Sequence, residues 1–397
     1  MLDEIKALDK KYYMNTFGER LNVMFDHGEG MKLYSDAGDV YYDFLGGIAV
    51  NSVGHAHPKL VRAISQQAAK VIHTSSLYYI ENQARLAQKL VESTCADKAF
   101  FCNSGAEANE GAMKLARIYF YKKGMNKNEI ISLDNSFHGR TLATVAVTGQ
   151  EHYQAPYRPN LPGVTQVEPN NFEALKAAVT DKTAAIMLEP IQGESGVHPM
   201  DKEYLQKVRE LCSEKNIILI FDEVQTGMGR TGHLFAYQLY GIEPDIFTSA
   251  KALGGGVPIG AVCAKQFVAD AFEPGDHGTT FGGNPLATAA GLAVFDIYES
   301  EHLVENAKLK GEEFKNKLNM LKDKYPDKIS DIRGAGLLIG IQVKDELGKT
   351  VFNKLFENKI LTSLCSGNTI RIAPPLIIAS GDIDLFIKTF EQIIKEI

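Results

Sequence analysis

The chain has 397 residues, with 42 Lys plus Arg against 49 Asp plus Glu, so the formal charge is −7 at pH 7. Its 45% hydrophobic and 23% charged content exclude a mainly disordered chain, and this length buries a core that needs neither disulfides nor metal. The mild acidity argues against nucleic acid as a partner, since that role calls for a basic face. Lysines gather at Lys122, Lys123 and Lys127 and again at Lys322, Lys324 and Lys328, and both groups read as solvated helix ends.

The chain starts Met1-Leu2-Asp3-Glu4-Ile5-Lys6, without the basic start and apolar stretch of a secretory signal. No apolar run reaches the roughly 18 residues of a membrane span, so no membrane partner is expected. Five cysteines (Cys95, Cys102, Cys212, Cys263 and Cys365) form no C-x-x-C pair. They read as small core residues of a protein in a reducing cytoplasm. His55-Ala56-His57 has no further ligand cluster beside it, so a polar loop role is expected there and no metal.

The first thirty residues read as a short helix and a connector. Tyr34–Tyr42 reads as a hairpin around Asp36-Ala37-Gly38-Asp39. Helical periodicity follows at Val61–Val71 and Asn82–Val91, then a strand at Ala99–Cys102 and a helix at Glu107–Tyr121. Further strands are expected at Ile130–Leu133, Ala184–Leu188, Asn216–Phe221 and Ile246–Thr248, with a helix at Lys202–Lys215. Apolar strands without polar alternation, separated by helices, predict an α/β fold with a mostly parallel sheet buried on both faces. After Pro285 the pattern changes. A long helix over Leu286–Leu321 is expected, then a strand at Gly336–Val343, a helix at Thr350–Asn358, a strand at Thr369–Ile372 and a helix from Asp382. This predicts an N-terminal segment (1–45), a large domain (46–285) and a small α+β C-terminal domain (286–397).

Ser104-Gly105-Ala106-Glu107 follows a strand and opens a helix, the spacing of a capping box. The free N–H groups of such a first turn attract anions, and Gly105 lets a phosphate approach the backbone. There is no G-x-x-x-x-G-K-[ST], and Gly254–Gly260 lacks the G-x-G-x-x-G spacing, so a nucleotide loop is not indicated. Asp222 ends the most apolar strand, where ligands of α/β sheets bind. Lys251 stands 29 residues later, after another strand and before glycines, where a lowered pKa would free its amine to form a Schiff base. A phosphate cup, a carboxylate for a ring nitrogen and a lysine for an aldehyde together fit pyridoxal 5′-phosphate.

Six longer blocks carry a resemblance: Leu45–Asn51, Phe101–Glu110, Phe137–Thr141, Glu189–Glu194, Phe221–Gly232 and Thr279–Pro285. In this order they resemble the class III aminotransferases, pyridoxal-phosphate enzymes with the aspartate-aminotransferase type of fold (fold type I). The resemblance implies that Lys251 is the Schiff-base lysine and the proton carrier. It implies that Asp222 pairs with the ring nitrogen and Gln225 with the phenolic oxygen. Phe137 would stack on the ring, and Gly105 and Ala106 would donate to the phosphate. Thr280 would reach the neighbouring subunit's cofactor, which implies a homodimer with shared sites.

For substrates, guanidinium groups suit carboxylates. The resemblance implies Arg140 for the distal carboxylate, Arg371 for the α-carboxylate of glutamate, Glu194 as a cover for Arg371, and Thr279 beside them. It implies transfer of the δ-amine of N2-acetylornithine to 2-oxoglutarate, with succinyldiaminopimelate as a further donor. Members acting on 4-aminobutyrate or ornithine, and the glutamate-semialdehyde aminomutase, are the alternatives. Gly46-Gly47-Ile48 lacks the tyrosine by which ornithine enzymes receive a free α-amine.

Overall fold

In a computed structural model that describes residues 1–397, a seven-stranded sheet forms the centre. Its spatial order is Lys98–Cys102, Gly260–Ala264, Ile246–Ser249, Ile218–Asp222, Thr183–Leu188, Glu129–Leu133, Val164–Val167. The last five run parallel to their neighbours, and Gly260–Ala264 is antiparallel to both of its own. Sequence reasoning did not foresee Gly260–Ala264 or Val164–Val167. The first is made of small residues, Gly260-Ala261-Val262-Cys263-Ala264, which carry no strand propensity beyond Val262.

Both faces of the sheet are dry. Leu188, Leu219 and Phe221 enter one core, while Met187, Ile218 and Ile220 enter the other with Ala108, Ala112 and Ala116 of the helix Gly105–Lys122. Alternate residues of one strand therefore feed two cores, so the strand reads as an unbroken apolar run. That run starts at Ile218, later than expected, because Asn216 takes the left-handed conformation that ends the helix Lys202–Lys215.

The expected helix over Leu286–Leu321 is two helices, Pro285–Ser300 and Leu303–Lys324. His302 breaks them with φ 52°, and Glu301 beside it is held by His57 and Lys59. The first helix packs on Pro58–Ala68, Glu81–Glu92 and the short helical turn Lys251–Gly254. The second packs on Ile329–Ala335 and the last helix, Ser380–Glu396. A second, antiparallel sheet has the order Ile329–Ala335, Leu338–Val343, Thr369–Ile372, Ser363–Cys365. The strand expected from Gly336 starts at Leu338, because Gly336 sits in the preceding turn with φ 51°. A third sheet joins Phe25–Glu29, Lys32–Ser35 and Val40–Asp43 to Ile360–Leu361, tying the N-terminal segment to the C-terminal part. No helix is long and apolar enough to cross a membrane.

Parallel strands end at Leu133, Leu188, Asp222 and Ser249. The segments that leave them carry Phe137, Glu189, Gln225 and Lys251, so one edge of the sheet gathers the candidate site. Leu219 is fully buried in the central strand. Leu219→Ala should lower stability by about 2–5 kcal/mol, read as a lower denaturant midpoint with little change in m-value.

Candidate active site

A cavity of about 450 Å³ opens at these strand ends, lined by Gly105, Ala106, Phe137, Arg140, Asp222, Gln225 and Lys251 among others. The helix Gly105–Lys122 points its start into it. Ser104 Oγ accepts from the Glu107 N–H at 3.2 Å. The Glu107 carboxylate does not complete the expected capping box, because it accepts from the Asn103 N–H at 2.6 Å instead of reaching the cap residue's own N–H. The N–H groups of Gly105 and Ala106 find no backbone acceptor and line the cavity. A Cβ on Gly105 would lie 2.7 Å from a Val224 methyl, so only glycine lets that wall close.

Asp222 is 4% exposed. Its Oδ2 accepts from Asn109 Nδ2 and pairs with His138 Nδ1, both at 2.7 Å, and its Oδ1 accepts from the Val224 N–H at 3.0 Å. Asn109 is itself fixed, donating to His138 O and accepting from Thr248 Oγ1. Burial works against a charged His138, but the hydrogen bond and charge of Asp222 outweigh it and raise the imidazole's pKa. Asp222 is thus a buried carboxylate backed by an imidazole that it makes easier to protonate.

Lys251 begins the short helix Lys251–Gly254 with φ 49°, a strained value for a lysine. Burial, aided by the Arg371 charge, lowers its pKa to about 8 against the opposing charges of Glu194, Asp222 and Glu189. Phe137 and Val224 line the cavity, and Tyr153 meets Phe137 edge-on at 5.9 Å. Arg140 lies 3.8 Å from the Tyr153 ring centroid, a cation–π contact.

Arg371, 2% exposed, sits beyond the cavity wall. Its Nη1 donates to Glu194 Oε2 at 2.7 Å, Gly193 O at 3.1 Å and Gln225 Oε1 at 3.2 Å, and its Nε donates to Ser363 Oγ at 3.0 Å. Burial tends to raise the Glu194 pKa, but the charge and hydrogen bond of Arg371 hold it below the ordinary value.

Thr279 and Thr280 are not among the residues that line the cavity of their own chain. Thr279 Oγ1 accepts from Asn103 and Gly282, and Thr280 is exposed. His55 pairs with Asp43 at 2.8 Å and His57 with Glu301 at 3.2 Å, so the two histidines serve different loops. Sequence reasoning passed over His138, Asn109, Val224 and Glu189. Each lies inside a block that was singled out, but only the fold shows that their side chains meet.

These groups fit pyridoxal phosphate. Unsatisfied N–H groups wait at a helix start, a buried carboxylate has acceptor capacity left on Oδ1, which takes only the Val224 N–H, and a lysine amine with lowered pKa shares the same cavity.

The comparisons agree with the geometry. The family profile Aminotransferase class-III matches residues 13–394. The acetylornithine aminotransferase of Methanocaldococcus jannaschii is 52% identical over 393 residues, 98% of both chains. That of Clostridium acetobutylicum is 49% identical over 390 residues, 98% of this chain and 100% of the relative. Among solved structures, the Elizabethkingia anophelis acetylornithine aminotransferase superposes with a TM-score of 0.88 at 35% identity, covering 100% of this chain and 99% of that one. The Toxoplasma gondii ornithine aminotransferase gives 0.95 at 33% identity, covering 100% and 95%. A fold-type-I α/β enzyme with this site and these relatives defines the class, and the chain belongs to the class III aminotransferases. It is a pyridoxal-phosphate-dependent transaminase.

A lysine with lowered pKa is neutral above that pKa and protonated below it. Capture of pyridoxal phosphate by the cofactor-free protein should therefore quicken as pH rises through about 8, followed as growth of visible absorbance after mixing.

Proposed function

We propose that the enzyme moves the δ-amino group of N2-acetyl-L-ornithine to 2-oxoglutarate, giving N-acetyl-L-glutamate 5-semialdehyde and L-glutamate. The observation that carries this reading is the agreement of relatives named acetylornithine aminotransferase at 49–52% identity over nearly whole chains. The Arg371–Glu194 pair supports it, because a covered and uncovered arginine suits two substrates that differ in one carboxylate. Gly46-Gly47-Ile48 offers no phenol for a free α-amine, which favours a donor whose α-amine is acylated, succinyldiaminopimelate included, or one without an α-amine.

Bound pyridoxal phosphate supplies an aldehyde for amines and a protonated ring that accepts the electrons of a broken C–H bond. The chain supplies the rest. Gly105 and Ala106 hold the phosphate by their N–H groups. Asp222, held by Asn109 and His138, would face the ring nitrogen. Phe137 and Val224 line the cavity and would flank the ring, and Gln225 would face the phenolic oxygen. Lys251 Nζ carries the proton that leaves Cδ of the donor, and its low pKa lets it act as base near neutrality. Arg140 holds the distal carboxylate, with Thr279 nearby. Glu194 covers Arg371 for the amine donor and leaves it for 2-oxoglutarate.

The same reading makes the enzyme a homodimer with Thr280 serving the partner's cofactor. Ile72, Leu77, Tyr78 and Tyr79 are exposed apolar side chains, and exposed Phe281, next to Thr280, packs on His73 of that segment. Such a patch suits a second copy. The chain divides into the segment 1–45, the cofactor-binding unit 46–285 and the unit 286–397, which carries Arg371. Its five unpaired cysteines support a cytoplasmic location.

Lys251→Ala should abolish turnover and the visible absorbance of the lysine-bound cofactor, and normal turnover would refute the assignment. In a panel of amines mixed with the enzyme alone, N2-acetylornithine should bleach that absorbance fastest. Faster bleaching by 4-aminobutyrate or ornithine would overturn the choice of donor.

A further inference from the structure

Glu189 is 5% exposed and has no part in the scheme above. It leaves the strand Thr183–Leu188, whose Leu188 is in register with Phe221 of Ile218–Asp222. Glu189 and Asp222 therefore emerge side by side from strands about 4.8 Å apart. His138 gives its hydrogen bond to Asp222, and Glu189 has no cation bonded to it.

Its oxygens instead accept two backbone N–H groups, from Phe137 at 2.9 Å and from Gly193 at 3.4 Å. Gly193 faces two ways: its N–H points to Glu189, and its carbonyl accepts from Arg371 Nη1. A Cβ there would lie 2.3 Å from Gln225 Oε1, so the residue is hemmed in on a third side. The next residue is Glu194, the partner of Arg371.

We propose that Glu189 is a positioning residue for carboxylate selection, holding Gly193 as the fixed pivot about which Glu194 leaves and re-covers Arg371. This rests on the Arg371–Glu194 reading above. Only an ionised carboxylate accepts freely from both N–H groups; once protonated, one oxygen becomes a donor. Burial pushes the Glu189 carboxyl up to about 7, with Asp222 adding to the rise and His138 opposing it. Lys251 and Arg371 also feel its charge. As pH falls through that value Glu189 gains its proton, the N–H facing the protonated oxygen is left with a weaker acceptor, and the pivot loosens.

The test is titration calorimetry of glutarate, an amine-free dicarboxylate, on the holoenzyme from pH 6 to 8.5. Wild-type affinity should fall as pH drops through about 7. Glu189→Gln, which imitates the protonated form, should bind glutarate about tenfold more weakly at pH 8 and show a flattened pH profile. Glu189→Asp, charged but one methylene short, should also bind more weakly, and it alone decides if the Gln variant does not fold. Cofactor absorbance should persist in both. Wild-type glutarate affinity in a folded variant would overturn the proposal. So would a loss of affinity in step with loss of cofactor absorbance, which marks a merely structural role. Glutarate carries no amine, so an error in the donor would appear in the amine panel and leave this result untouched.

Discussion

A carboxylate at the end of a buried strand must keep its charge without water, and Asp222 meets that demand with three partners. Asn109, His138 and the Val224 N–H come from three separate segments of the chain. Removing one partner of a buried charge costs more than the intact pair contributes, so each segment is held in place by the same oxygen atoms. Asn109 lies on the helix Gly105–Lys122, one turn in from its start. Anchoring Asn109 to Asp222 and Thr248 thus aims that helix start at the cavity. Asp222 and the helix start at Gly105 are placed by one hydrogen-bond network.

Three carboxylates crowd these strand ends, and their surroundings separate them. Asp222 has an imidazole partner. Glu189 has backbone donors from two flanking segments. Glu223 points away from the cavity, where it accepts from the N–H groups of Ala236 and Tyr237 and from Thr226, capping the helix Ala236–Tyr240. Burial raises the Glu223 carboxyl to about 7, and its hydrogen bonds oppose that rise. Against this acidic group stand Lys251 and Arg140 in the cavity wall and Arg371 beyond it.

Arg371 belongs to the small antiparallel sheet, and its distance from Lys251 depends on how the sheets dock. Arg230, 1% exposed, lies on the loop that leaves Asp222. Its Nη1 donates to Leu337 O at 3.1 Å and Pro374 O at 2.5 Å, and its own carbonyl accepts from the Leu337 N–H. Burial lowers its pKa to about 10. One loop therefore starts at Asp222 and ends pinned to the segment that follows Arg371.

Much of this protein was legible in the order of its residues. Apolar runs such as Ile218–Phe221 define a parallel sheet because burial on both faces leaves no polar alternation, and the Ser104–Glu107 start marks a helix that can receive an anion. Asp222 and Lys251 stood out because charged residues at strand ends need a chemical reason. Local pattern failed where conformation depended on distant packing. The apparent single helix after Pro285 divides at His302 because its halves pack on different elements, the first on Pro58–Ala68 and Glu81–Glu92 and the second on Ile329–Ala335 and Ser380–Glu396. Gly260–Ala264 is a strand only because its neighbours complete its hydrogen bonds. Only the tertiary structure could pair His138 with Asp222, or link Glu189 through Gly193 to Arg371. These contacts join residues 84 and 178 positions apart at their widest separations. Sequence states which groups are present, while the docking of sheet on helix and sheet on sheet decides which of them share a buried charge.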